Sequence, residues 1–171
     1  MVIPDRKIMR GFLLAILLCF GFSARAFAVE AGAKPPGFDL PGLQGTVNLS
    51  DAAGSVVYVD FWASWCGPCR QSFPWMNQLQ EKYRSKGLKI IAVNVDAKSE
   101  DARKFLAQNP AEFTVAFDSK GTTPASYGVS GMPTSFLIGR DGKVIFRHLG
   151  FKAADKEVIE RQINAALEAG K

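Results

Sequence analysis

The sequence is short of the residues that ligate metals and staple small secreted folds: one histidine and three cysteines stand among 171 residues. Three cysteines cannot build the multi-disulfide framework of a mini-protein. A closed zinc site needs four ligands from Cys, His or carboxylates. Beyond residue 28 only Cys66, Cys69 and His148 remain of the softer ligands, too few for a Cys-rich site within one chain, so no metal is expected. Long hydrophobic runs are missing too: Gly11–Phe22 is about a dozen residues, against the ~20 that span a bilayer core. Charge of one sign is scarce outside the N-terminus. Of the formal net charge of +5, residues 1–28 supply +3 through Arg6, Lys7, Arg10 and Arg25 against Asp5. The remaining 143 residues carry only +2, which leaves no strong electrostatic footprint for nucleic acid. No internal repeat or low-complexity tract is present. What is present suffices for a core, with 47% hydrophobic and 22% charged residues, and this excludes wholesale disorder.

Residues 1–28 read as an export signal. A basic segment, Met1–Arg10, precedes the apolar run, and Ala26-Phe27-Ala28 supplies the small-x-small pattern of signal peptidase sites, so cleavage after Ala28 is expected. An uncleaved leader would instead anchor the chain to the membrane. Lipidation at Cys19 is disfavoured by the bulky Leu18 before it. The expected mature domain is 29–171, outside the cytoplasm, with Cys66 and Cys69 as its cysteines.

Residues 29–36 form a flexible lead-in rich in Ala, Gly, Lys and Pro. Short strands are expected at Phe38–Gly42 and Thr46–Leu49. Val56–Trp62 (VVYVDFW) is a β-branched and aromatic run without alternation, as in a strand buried on both faces. A helix should run from Cys66 to about Ser85, with Phe73, Met76, Leu79 and Tyr83 as its apolar stripe and Gly87 as its stop. A second buried strand follows at Leu88–Val95, then a helix from Ser99 to Gln108 and a strand at Phe113–Phe117. Thr134–Ile138 and Lys143–His148 flank an Asp-Gly type hairpin turn. A last helix spans about Ala153–Leu167, with Val158, Ile159, Ile163 and Leu167 on one face. The sum is one α/β domain with a mixed central sheet flanked by helices.

The chemistry concentrates at Trp65-Cys66-Gly67-Pro68-Cys69. Half of a zinc site lacks its other half. A purely structural disulfide closing so small a ring removes little chain entropy. A redox dithiol remains: a buried strand leads into the motif and a helix leaves it, placing Cys66 where free N–H groups and the helix dipole stabilise a thiolate. Pro68 falls in the first helical turn, where its missing N–H costs nothing.

The stretch Val59-Asp60-Phe61-Trp62-Ala63-Ser64-Trp65-Cys66-Gly67-Pro68-Cys69-Arg70 resembles the active-site segment of thioredoxins, and Tyr127-Gly128-Val129-Ser130-Gly131-Met132-Pro133-Thr134 resembles their cis-proline loop. The N-terminal hairpin and the helix-strand insert at Ala97–Asp118 look like the exported TlpA/ResA-type thiol:disulfide oxidoreductases, whose relatives include cytochrome c maturation reductants. The resemblance covers about Pro36–Leu167. It implies a thioredoxin-like fold with a cis Met132–Pro133 bond facing the dithiol, and a bacterial periplasmic location. It also shows two departures: Ser72 stands where cytochrome-maturation members often carry Glu, and Ala92 where many thioredoxins carry the lysine that partners the buried acid.

The implied chemistry is disulfide exchange without a cofactor beyond the Cys66–Cys69 pair itself. Cys66 is the expected nucleophile, Cys69 the resolving thiol, and Asp60 the proton-handling acid. Trp65, Gly67, Pro68, Met132 and Pro133 are the expected substrate-facing residues. Trp62 and Trp75 read as packing, and His148 receives no role. The Gly67-Pro68 dipeptide matches thioredoxin and favours a protein-disulfide reductant. An exported reductant cannot use cytoplasmic NADPH directly, so a membrane electron relay is the expected donor, and a monomer is expected. A dithiol oxidase is the main alternative. A peroxidase would need a lone peroxidatic cysteine, and a non-catalytic binding module has no use for an intact dithiol.

Overall fold

The computed structural model describes residues 29–169. The expected leader at 1–28, its cleavage after Ala28 and Cys19 lie outside the described residues. A five-stranded mixed sheet in the order β5-β4-β3-β6-β7 forms the centre. Its strands are β3 (Val56–Trp62), β4 (Leu88–Asn94), β5 (Thr114–Phe117), β6 (Thr134–Ile138) and β7 (Val144–Leu149). β3, β4 and β5 run parallel, and β6 and β7 are antiparallel to their neighbours. A separate hairpin of β1 (Asp39–Pro41) and β2 (Thr46–Asn48) is tied to β5 through a Gly42–Ala116 bridge. The thioredoxin-like expectation, with its N-terminal hairpin and a helix and strand between 97 and 118, is met.

All seven residues of β3 are buried, which explains why VVYVDFW shows no alternation. Its side chains still divide between two cores. Val56, Tyr58 and Trp62 join α1 (Gly67–Tyr83), α2 (Ser99–Gln108) and α4 (Asp155–Glu168) on one face. Val57, Val59 and Phe61 meet the hairpin and Tyr127, which follows the short α3 (Thr122–Ser126), on the other. On the first face Phe73 packs edge-on against Trp62 and Phe105, at ring-centroid distances of 4.6 and 5.0 Å. Aromatic rings favour that geometry over a face-to-face sandwich. Trp62 and Trp75 are both buried, as packing residues should be.

Some local expectations need correction. Val158 is 40% exposed, while Ile159, Ile163, Ala166 and Leu167 are buried. The true stripe starts one residue later, and a one-residue step turns a side chain about 100° around a helix. The hairpin between β6 and β7 does not use the mirror-type Asp-Gly turn, which needs positive φ at both central residues. Only Gly142 has positive φ (75°), and its N–H closes a turn onto Gly139 O at 2.9 Å. A register shift at Leu137/Ile138 absorbs the extra residue. The long helix stops as an α-helix at Tyr83, then tightens through a 3-10 turn (Arg84–Lys86) to Gly87 at φ 95°.

Candidate active site

The strand-to-helix junction after β3 is held from below by backbone and carboxylate. Val95 N–H donates to Trp62 O and Cys66 N–H to Ala63 O. The Ser64 N–H donates to Asp96 Oδ2 at 3.0 Å, and Asn94 Nδ2 donates to the same oxygen at 2.8 Å. Asn94 Oδ1 in turn accepts from the Asp96 N–H. Asp96 is buried, so removing its carboxylate strands two donors. Asp96→Ala is expected to lower unfolding stability by about 2–3 kcal/mol. Urea denaturation checks this, and a midpoint equal to that of the parent would show that the network does not hold the loop.

Cys66 is the N-cap of α1, and its Sγ accepts from the Cys69 N–H at 3.3 Å. Cys66 and Cys69 are joined by a disulfide. Cys66 is buried at 5% exposure and Cys69 has no exposed surface, while Trp65 beside Cys66 is 70% exposed. Gly67 and Pro68 are exposed in the first turn, and a Cβ on Gly67 would meet nothing within 4 Å, so the approach there is open. Ser72, in place of a family Glu, is buried and donates to Cys69 O at 2.9 Å, capping local backbone rather than offering a charge.

The Met132–Pro133 bond is cis. Register places it: Phe61 opposes Thr134, so Pro133 lies at the end of the sheet from which the dithiol loop departs. Met132 is half-buried and packs against the cluster that contains both cysteines. Leu149, 57% exposed, comes within 3.5 Å of where a Gly131 Cβ would stand and extends this apolar rim. Spacing gave no sign of Leu149, because β7 reaches the loop only through its pairing with β6.

Asp60 alternates with Tyr58 and Trp62 and therefore shares their face of the sheet, that of the two cysteines. It is 1% exposed. Burial pushes its carboxyl up to about 7, opposed by a hydrogen bond from Ser135. Ser135 Oγ donates to Asp60 Oδ1 at 2.8 Å and accepts from Tyr58 Oη at 2.7 Å. Ala92 is the direct β4 neighbour of Asp60, so no cation stands where many thioredoxins have one. Sequence reasoning found Asp60 and passed over Tyr58, Ser135 and Asp96. Among the described residues no group of three His, Cys, Asp or Glu is gathered as a metal-ligand set.

A dithiol capping a helix beside a cis proline, on this sheet, defines a thiol:disulfide oxidoreductase. The sequence pattern of the Redoxin family matches residues 30–163, and the chain belongs to that family, as a protein of the TlpA/ResA type. It is 38% identical over 149 residues to the thiol-disulfide oxidoreductase ResA of Bacillus cereus, covering 82% of this chain and 86% of the relative. ResA of Bacillus subtilis is 32% identical over 142 residues, 79% of each chain. Among solved structures, one described as a thiol:disulfide interchange protein DsbE from Chlorobium tepidum is 68% identical. Its TM-score is 0.81, over 82% of this chain and 99% of that one.

Proposed function

We propose that this protein is an exported reductant of protein disulfides, working through Cys66 and Cys69 and drawing electrons from a membrane-embedded relay. The asymmetry of the pair carries the exchange chemistry, and the thioredoxin-like Gly67-Pro68 between the cysteines supports the reducing direction. Cys66 caps α1 next to exposed Trp65, and Cys69 is sealed one turn behind it. In the reduced enzyme, the head of α1 stabilises the Cys66 thiolate. That thiolate attacks one sulfur of a substrate disulfide, the S–S bond breaks, and the other substrate sulfur leaves and takes a proton from water. Cys69 then passes its proton to Asp60, and its thiolate attacks Cys66 Sγ. The mixed disulfide breaks, the second substrate sulfur leaves as a thiolate, and the Cys66–Cys69 bond remains. Two electrons have moved to the substrate.

Trp65, Gly67, Pro68, Met132 and Pro133 form the rim against which an extended substrate segment lies. An acid titrating near neutrality is well matched to accept a thiol proton at working pH. The basic-then-apolar leader supports export to the periplasm, with the inner membrane as the site if the leader is retained. An exported reductant has no access to cytoplasmic NADPH, which is why a membrane relay must feed it. The clients that fit are haem-site cysteines of apocytochrome c or other misoxidised periplasmic proteins, met by a single copy of the enzyme.

Equilibration of residues 29–171 with glutathione or dithiothreitol at pH 7 tests the direction of electron flow. A reduction potential near or below about −250 mV is expected for a reductant. A value of about −150 mV or higher would make the protein a disulfide-forming oxidase instead.

A further inference from the structure

Asp60 has an unusual surrounding for a buried carboxylate. On β4 its neighbour is Ala92 and on β6 it is Ser135. Beyond Ser135, in the same cross-strand row, stands His148 of β7, whose Nε2 lies 3.3 Å from Asp155 Oδ2 at the start of α4 without making a hydrogen bond. Tyr58 lies two residues back on β3, and α1 contributes Cys66 and Cys69 to this face. No lysine or arginine is among these groups. What Asp60 has instead is the chain Tyr58 Oη to Ser135 Oγ to Asp60 Oδ1, while Asp60 Oδ2 is buried with no partner.

We propose that Ser135, oriented by Tyr58, is the positioning residue for Asp60: it occupies Oδ1, holds the acid in place of a cation, and directs the Cys69 proton to Oδ2. The proposal rests on the reading of Asp60 as acceptor of that proton. Its logic is donor counting. A serine hydroxyl has one hydrogen, and here it points to Asp60. Tyr58 fills the opposite side as a donor, and burial together with the Asp60 charge raises its phenol well above the ordinary value, so it stays a donor. A proton arriving on Oδ1 would force Ser135 to turn its hydrogen away and compete with Tyr58. A proton arriving on Oδ2 disturbs nothing, because Oδ1 accepts from Ser135 in either protonation state. The unpartnered oxygen is costly to bury, and it is the one atom of the acid left free to take a proton. Ser135 also sits two residues after Pro133, so the strand that follows the substrate loop holds the acid too.

The test uses the oxidised protein, where neither cysteine titrates, labelled with carboxyl-13C aspartate. The Asp60 signal is assigned by its loss in Asp60→Asn. Ser135→Ala is expected to raise the Asp60 titration midpoint by about one pH unit, a tenfold fall in its acidity constant. Tyr58→Phe should move it less and in the same direction, and Ser135→Thr should restore the parent value. In the reduced enzyme the pH profile for resolution of a mixed disulfide with a model peptide should move with the midpoint. Should Ser135→Ala fold poorly because it strands the phenol, the double variant Tyr58→Phe/Ser135→Ala leaves no hydroxyl unmatched and carries the same expectation. A midpoint unchanged in these variants, with the resolution profile still flattened by Asp60→Asn, overturns the role of Ser135 and leaves Asp60 as the acceptor. A profile indifferent even to Asp60→Asn removes the acceptor role itself, and the proposal with it.

Discussion

Cys66→Ser is expected to lose about three orders of magnitude or more in disulfide reductase activity, the scale at which loss of a covalent nucleophile costs other enzymes. Cys69→Ser is expected to be just as slow in turnover for a different reason, accumulating a covalent complex with its substrate. The asymmetry follows from position. The Cys66 sulfur caps a helix beside an exposed tryptophan and keeps 5% of its surface, while Cys69 behind it keeps none. A thiol with no exposed surface cannot meet an external disulfide, although it can reach a sulfur already attached to Cys66. Insulin reduction measures the first effect. Non-reducing mass spectrometry measures the second, as an adduct in Cys69→Ser and none in Cys66→Ser. The reverse pattern would exchange the roles of the two cysteines. Folding does not explain the difference: both variants lose the same small-ring disulfide, worth about 2 kcal/mol in the chain-entropy account, so their denaturation midpoints should agree.

The parts of this site that the sequence displayed are those carried by contiguous residues. The buried run before Trp65, the Gly87 stop and the apolar stripe of α1 are local signals, and they placed Cys66 at a strand-to-helix junction. The chain that holds Asp60 is not local. Ser135 and Tyr58 are 77 residues apart, and only the antiparallel register of β3 and β6 brings them together. A serine after Pro-Thr in a β-branched strand looks like ordinary strand filler. Asp96 was hidden in the same way, since nothing in VNVD says that its carboxylate turns back to the Ser64 amide. Val158 was misplaced because a hydrophobic stripe drawn on four residues tolerates a neighbour one step off the buried line. The five-residue α3 is too short to show any period at all. Local pattern gave the elements; pairing between distant strands, which a single sequence does not display, gave Asp60 its hydrogen-bonded surroundings.

Asp60 also makes stability depend on pH in a direction opposite to that of most carboxylates. An unperturbed aspartate releases its proton near 3.8, and burial pushes the folded Asp60 up to about 7. Between those values the native state holds a proton that the unfolded chain lacks, so unfolding becomes easier as pH rises. The contribution is fully present below about pH 4, declines through the range between the two values, and is lost above the folded one. Three pH units at about 1.4 kcal/mol each give a loss of about 4 kcal/mol, an upper figure for a group with one good hydrogen bond. Asp118 and Glu160 do not confuse the window. Both carboxyls are lowered: burial of Asp118 is outweighed by hydrogen bonds from Thr123, Thr122 and Gly121 together, and Glu160 is held down by those from Lys82 and Tyr83, so their changes occur on the acid side. Urea unfolding of the oxidised protein from pH 5 to 8.5, compared with Asp60→Asn, isolates the effect. The parent should lose stability across that range and the variant should not, ending about 2–4 kcal/mol more stable at the alkaline end. Parallel curves for the two proteins would mean that Asp60 is already ionised at pH 5, and would remove the physical basis for a proton acceptor poised near neutrality. A carboxylate kept in a place where its charge destabilises the fold is understandable if the charge is needed only briefly, between the departure of one proton and the arrival of the next.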